Sequence, residues 1–179
     1  MKNKIKHSLP NLLTFINLSL GIIALLFSIK DDLIQASLLV MVAALTDRFD
    51  GKVARMLDST SELGKELDSL SDLISFGVAP IIIAWKISFL HLGIIGYLLT
   101  VLFPIAGAYR LARYNTTTFN NVFCGVPITI AGAFLSIINL YNSFSKIRGN
   151  YGNINTIVCA IIIILLSYLM VSKIQIKKR

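Results

Sequence analysis

The chain has 179 residues, of which 55% are hydrophobic and only 15% are charged. With a mean hydropathy of +0.75, it has too little polar surface to cover a water-soluble globule, which excludes that class. Its formal charge of +8 would suit nucleic acid or an anionic lipid surface. Because the basic residues cluster at the ends of apolar runs, we expect a membrane and no nucleic acid.

Six apolar segments approach the ~20 residues that a helix needs to cross a bilayer. In chain order they cover 10–29, 33–49, 67–87, 92–114, 122–144 and 154–171. The first follows a basic start, as in a signal peptide, but no small-residue cleavage site comes after it, so we expect it to be retained as a span. The sequence predicts a single all-α membrane domain over 1–179, an integral membrane bundle of six transmembrane helices.

Lysine and arginine predict how these helices are oriented. They are concentrated in the N-terminal segment, in the polar stretch after the second span, near Arg110 and Arg113, and in the C-terminal tail. These segments alternate onto one side of the membrane, and the positive-inside rule makes that side the cytoplasm. We therefore expect a multi-pass membrane protein with both termini and the polar stretch at the cytoplasmic face.

The acidic residues are confined to very few places. Seven of the nine lie between Asp47 and Asp72. Asp47 and Asp50 are three residues apart, and Asp68 and Asp72 are four apart, so each pair would share one face of a helix. Four convergent carboxylates repel one another unless a cation neutralises them or they share protons. All-oxygen ligation favours a hard divalent ion, Mg²⁺ or Mn²⁺.

The residues between these pairs suit phosphate chemistry. Gly51 and Gly64 remove side chains where a ligand or a neighbouring helix could approach the backbone. Arg55 could donate two hydrogen bonds to one phosphate. Two metal ions with open coordination positions would hold both the attacked phosphoryl group and the leaving group.

At these positions the chain resembles a known family, the CDP-alcohol phosphatidyltransferases. The matching pattern is Asp47-x-x-Asp50-Gly51-x-x-Ala54-Arg55, eight residues, Gly64, three residues, Asp68, three residues, Asp72. The resemblance implies a membrane enzyme, usually dimeric, that transfers a phosphatidyl group from a CDP-linked lipid to an alcohol and releases CMP. It implies that Asp47, Asp50 and Asp68 are metal ligands, and that Asp72 is both a ligand and the general base.

The same resemblance implies further substrate contacts. Gly51 and Arg55 would contact the CDP-lipid, and Ser61 would lie near the nucleotide. Thr14 and Asn17, in the first span, resemble the polar pair with which family members hold the cytidine or its phosphates. From the residues alone, Asn17 in an apolar span could equally hydrogen-bond a neighbouring helix.

Four segments are similar to the phosphatidylserine synthase branch of the family: "PNLLTFINLSLG", "DSLSDLISFGVAP", "YRLARYN" and "GVPITIAG". This similarity implies CDP-diacylglycerol and serine as substrates, with a kink at "SFGVAP" that shapes the acceptor pocket. It implies that Arg110 and Arg113 hold the phosphates or the carboxylate of serine, which needs a cation. Both arginines could also be plain positive-inside anchors at the end of a span.

Two alternatives remain open from the sequence. The same site could accept glycerol-3-phosphate or an inositol phosphate in place of serine. Acids inside a membrane bundle could instead belong to a small cation or proton transporter. Three acids lie off the pattern and are expected to be solvated loop charges: Asp58, Glu62 and Glu66.

Overall fold

The protein is described here by a computed structural model. It describes the backbone of residues 2–56, 61–116, 122–173 and 175–177, and the side chains of 11–49, 61–116 and 125–173. The elements in chain order are α1 (Lys2–Ile29), α2 (Leu33–Met56), α3 (Glu62–Asp72), a first π-helical segment (Leu73–Val78), α4 (Ala79–Ala84), a second π-helical segment (Trp85–Phe89), α5 (Ile94–Thr116), β1 (Val122–Cys124), α6 (Ile128–Ile147), α7 (Asn153–Val171) and β2 (Gln175–Lys177).

The predicted all-α membrane bundle is confirmed, with one difference in the number of spans. In the described part of the chain, five helices are long and apolar enough to cross a membrane: Asn11–Ile29, Glu62–Phe89, Ile94–Thr116, Ile128–Ile147 and Asn153–Val171. The second predicted span, 33–49, is not among them; it lies in α2, which continues as a helix to Met56 through Asp50, Gly51 and Arg55. Asp47 and Asp50 therefore lie on one helix, as their spacing predicts, but that helix continues past residue 49, the predicted end of the span.

The fifth predicted span, 122–144, begins too early. Val122–Cys124 instead pairs antiparallel with Gln175–Lys177, and the helix starts at Ile128. Gly125 has a φ of +77°, a backbone conformation that ends the strand and that glycine adopts readily. Pro127 is the residue before the helix, where its missing N–H has no helical partner to lose. An apolar run alone does not reveal such a boundary.

The helix Glu62–Phe89 lies at the centre of the bundle. In its most apolar stretch 61% of the residues are buried, against 28% to 44% in the other four spanning helices. Phe76, Ile81 and Ile83 along it are fully or almost fully buried. Large apolar side chains on α5 and α7 are exposed instead, as expected for helices that face lipid.

Close backbone contacts fix the first π-helical segment, which contains the first four residues of "SFGVAP"; Ala79 and Pro80 begin α4. A methyl group on Gly132 of α6 would lie 2.7 Å from the Cα of Phe76, and one on Gly21 of α1 would lie 2.8 Å from the Cα of Ser75. Both distances are too short for a side chain, so glycine lets α1 and α6 touch the backbone of this segment. π-Helical turns often occur at functional sites, and this one begins directly after Asp72.

Candidate active site

Three carboxylates converge where α2 meets α3. One oxygen each from Asp47, Asp68 and Asp72 lies within 4.8 Å of the other two. Asp72 is buried, with 8% of its surface exposed, and the other two are half-buried. The i, i+4 spacing places Asp68 and Asp72 on one face of α3, and α2 supplies Asp47 from the opposite side. The predicted convergence is therefore observed for these three residues.

This donor set fits a hard divalent cation. Three ionised carboxylates at this separation repel one another strongly when they are withdrawn from water, and a divalent ion would relieve that repulsion. Carboxylate oxygens are the ligands that Mg²⁺, Mn²⁺ and Ca²⁺ prefer. Asp50 follows Asp47 by about one helical turn on α2. The side chains of Asp50 and Arg55 lie outside the described residues, and for Gly51 only the backbone is described.

Two serine hydroxyls hold helix α1 against the central helix, Glu62–Phe89. Ser71 donates to the carbonyl oxygen of Thr14 at 3.1 Å, and Ser75 donates to that of Asn17 at 3.0 Å. Because the two serines are four residues apart, they lie on one face of the central helix. The contact sets Thr14 and Asn17 of α1 against the helix that carries Asp68 and Asp72, and their predicted role in holding the cytidine or its phosphates stays a prediction.

The side chain of Asn17 contacts an acidic residue directly. Its amide nitrogen Nδ2 donates to Oδ1 of Asp72 at 3.4 Å. Asn17 is fully buried, and its oxygen Oδ1 has no hydrogen-bond partner among the described residues. A buried acceptor without a partner is uncommon and costly. A ligand donor at this place, such as the amino group of a cytosine, would satisfy it.

A threonine that the sequence analysis did not single out completes the surroundings of Asp72. Thr129, near the start of α6, donates from Oγ1 to Oδ2 of Asp72 at 3.5 Å. It belongs to the segment "GVPITIAG", which is similar to the phosphatidylserine synthase branch. No local sequence signal identifies it, because Thr129 and Asp72 are 57 residues apart and lie on different helices.

The two arginines of α5 have different surroundings. Arg110 is buried, with 9% of its surface exposed, and its guanidinium lies close enough to Asp72 for their charges to interact. Its Nε has no hydrogen-bond partner among the described residues. Arg113 instead donates to the carbonyl oxygens of Val171 at 2.8 Å and Ser172 at 3.2 Å. These carbonyls end α7, where a cation is favourable.

The chain is similar to a known protein family over most of its length. The family model described as CDP-alcohol phosphatidyltransferase matches residues 7–176. The chain belongs to the CDP-alcohol phosphatidyltransferase family. As a member of that family it is an enzyme, a phosphatidyltransferase, and this answers the transporter alternative.

Three curated relatives in the CDP-alcohol phosphatidyltransferase family illustrate the similarity. A CDP-diacylglycerol–serine O-phosphatidyltransferase of Helicobacter pylori is 36% identical, over 93% of this chain and 70% of its own length. One of Bacillus subtilis is 34% identical, over 93% of this chain and 88% of its own length. An archaetidylserine synthase of Methanothermobacter thermautotrophicus is 36% identical, over 94% of this chain and 69% of its own length.

Not every site residue expected from the CDP-alcohol phosphatidyltransferase pattern lies with the carboxylates in the structure. Ser61 caps the N-terminus of α3, where its hydroxyl oxygen accepts from the backbone N–H of Gly64 at 3.0 Å. Arg113, on α5, donates to the carbonyl oxygens at the end of α7. Their roles in substrate binding stay predictions.

Two of the three acids off the pattern, Glu62 and Glu66, are exposed as predicted, but they lie on helix α3 and not in a loop. Glu66 accepts a hydrogen bond from Nδ2 of Asn115 at 3.1 Å, and Ser69 accepts one from the same nitrogen at 3.0 Å. Asn115 therefore joins the end of α5 to α3. Asp58 lies outside the described residues.

Proposed function

We propose that this protein is a CDP-diacylglycerol–serine O-phosphatidyltransferase, which makes phosphatidylserine and releases CMP. The observation that carries the proposal is a buried arginine, Arg110, beside the carboxylate cluster with its Nε unpartnered. An amino-acid acceptor has both a hydroxyl to be deprotonated and a carboxylate that needs a cation. The names of the three relatives support the same acceptor, because each contains serine.

In this proposal Asp72 acts as the general base. It takes the proton from the serine hydroxyl while the hydroxyl oxygen attacks the phosphorus next to diacylglycerol. The bond between that phosphorus and the oxygen bridging to the cytidine phosphate breaks, and CMP leaves with the bonding electrons. Arg110 holds the serine carboxylate, so that the hydroxyl is presented to Asp72 and not to water.

The pyrophosphate of the CDP-lipid needs positive charge to neutralise it. Metal ions bound by four carboxylates would supply that charge. We propose that Asp47, Asp50, Asp68 and Asp72 hold two Mg²⁺ or Mn²⁺ ions. When bound, such ions supply charge neutralisation to the phosphates as charge develops on the leaving group. Gly51 and Arg55 are proposed to contact the CDP-lipid by their positions in the family pattern.

The remaining substrate contacts come from the first helix and from α3. We propose that Thr14 and Asn17 hold the cytidine or its phosphates, and the unpartnered Oδ1 of Asn17 suits a donor on the base. Ser61 and Arg113 are retained as weaker substrate contacts, because the groups described for them already bind backbone atoms.

The protein is a multi-pass membrane protein, and we propose that both termini and the active site face the cytoplasm. This orientation follows from the distribution of lysine and arginine. We also propose a homodimer, which rests only on the family resemblance. The prediction of a single domain over 1–179 is kept unchanged.

The test is release of CMP from CDP-diacylglycerol by the purified protein in detergent. Serine, glycerol-3-phosphate, inositol phosphate and no acceptor are compared in parallel, each with Mg²⁺, Mn²⁺ or EDTA. We expect release with serine and a divalent ion, and none in EDTA. Release with another acceptor alone would keep the carboxylate chemistry but overturn serine as the substrate. No release with any acceptor, from protein that binds CDP-diacylglycerol, would overturn the proposed reaction.

A further inference from the structure

Thr129 contacts the carboxylate cluster from a helix that carries none of the carboxylates. Its hydroxyl donates to Oδ2 of Asp72 at 3.5 Å, and an oxygen of Asp47 lies within 4.8 Å of one of Asp72. On the other side, Asn17 donates to Oδ1 of Asp72 at 3.4 Å. Both oxygens of Asp72 are therefore held by donors, one from α1 and one from α6.

Two donors on one carboxylate fix how it is turned. The terminal torsion of an aspartate is broad and roughly two-fold, so a carboxylate without partners presents its oxygens in many directions. A general base works only when its oxygen is within about 2.6–3.2 Å of the proton that it takes. The two hydrogen bonds to Asp72 are long, as catalytic hydrogen bonds often are before substrate binds.

The backbone around Thr129 is held firmly. Gly132, one turn later, lies against the backbone of Phe76. A methyl group on Gly107 of α5 would contact the side chain of Ile128, the residue before Thr129. The N–H of Val126 donates to the carbonyl oxygen of Leu169 at 3.2 Å. These three contacts hold the start of α6 in place. The hydroxyl of Thr129 therefore donates from a fixed position on the backbone.

We infer that Thr129 is a positioning residue for the transfer reaction, which turns the Asp72 carboxylate so that it can take the proton of the acceptor hydroxyl. The inference rests on the proposed function, in which Asp72 is the base. It predicts a defect in turnover and not in the binding of acceptor or metal, because the hydroxyl acts through Asp72.

The experiment compares Thr129→Val, which keeps the shape and removes the hydroxyl, with Thr129→Ser, which keeps the hydroxyl. Thr100→Val is the matched control, since the hydroxyl of Thr100 donates only within its own helix, to Gly96. We expect kcat to fall about 10- to 100-fold in Thr129→Val, the scale expected for a misplaced catalytic group. The KM for serine, the Kd for Mn²⁺ measured by calorimetry and the thermal midpoint should stay near those of the wild type. Thr129→Ser should recover most of the kcat.

Other outcomes overturn the inference. A raised KM for serine at unchanged kcat would make Thr129 an acceptor contact. Weaker Mn²⁺ binding would assign it to the metal site through Asp47. An unchanged kcat would remove it from the reaction altogether.

Failure of the proposed function is seen separately. If the wild type uses an alcohol other than serine, that alcohol replaces serine in the comparison, and the inference is tested as before. If Asp72→Asn keeps its activity, the base itself is misassigned, and the positioning role is overturned with it.

Discussion

The cations at the two ends of the central helix have different hydrogen-bond partners. Near its C-terminal end, Lys86 donates to the carbonyl oxygens of Ser28 and Ile29 at 2.6 and 3.1 Å. It also forms an ion pair with Asp31 at 2.6 Å. About 20 Å away along the helix, Arg110 lies beside Asp72 with its Nε unpartnered. A cation whose hydrogen bonds are all made within the chain holds the fold, whereas one with spare donors is available to a ligand.

The same contrast separates two arginines only three residues apart. Arg113 donates to the carbonyl groups that end α7, whereas Arg110 lies close enough to Asp72 for their charges to interact. Contact with solvent does not explain why the Nε of Arg110 lacks a hydrogen-bond partner among the described residues, because Arg110 is buried. The two side chains interact with different elements. We therefore expect Arg110 to affect the reaction and Arg113 to affect stability.

The largest effect is expected from Asp72→Asn. The amide has nearly the shape of the carboxylate but cannot take a proton, so CMP release should fall by at least about 100-fold. The protein should remain folded and should still bind CDP-diacylglycerol. Asp32→Asn is the matched control, because Asp32 is exposed and lies between α1 and α2. Substantial release by Asp72→Asn would remove it from the role of base.

Arg110→Gln compared with Arg113→Gln tests the division between the two arginines. Loss of a charge-assisted hydrogen bond to the serine carboxylate should raise the KM for serine about 10- to 100-fold in Arg110→Gln. Arg113→Gln should change that KM much less and should lower the thermal midpoint, since it leaves α7 without its cation. Equal effects of the two substitutions on KM would contradict the division.

Gly132→Ala should disturb the acidic end through packing alone. Its methyl group would overlap the backbone of Phe76, and relief of that overlap would separate α6 from the central helix. We expect a loss of about 1–3 kcal/mol in unfolding free energy, together with reduced CMP release, because Thr129 and Asp72 move apart. Gly152→Ala is the control, with open space around its Cβ position. A normal thermal midpoint in Gly132→Ala would show that the helices can shift freely.

The smallest effect is expected from Lys86→Met at the opposite end. Only 20% of the Lys86 side chain is exposed, but its partner Asp31 is 78% exposed, so solvent screens the ion pair. We expect a loss of about 1 kcal/mol in stability and no change in the KM for serine or CDP-diacylglycerol. Lys30→Met, which removes an exposed charge nearby, is the comparison. A changed KM would mean that the two ends are not independent.

The sequence by itself determined the features that depend on local spacing. A bilayer requires helices of a certain length, so apolar runs gave the positions of the spans, and errors arose where glycine and proline shifted a boundary, as before Ile128. Carboxylates three and four residues apart share a helix face, so the spacing predicted the pairs Asp47–Asp50 and Asp68–Asp72. That the two pairs meet came from the family resemblance.

Only the tertiary structure decided which distant residues meet these carboxylates. Thr129 is 57 residues from Asp72 in the chain, and no spacing rule relates two residues on separate helices. Likewise, Arg110 and Arg113 have the same side chain and nearly the same place in the sequence. Their partners differ because α5 packs on one face against the central helix, which carries Asp72, and on another against α7, and that packing is a property of the assembled bundle.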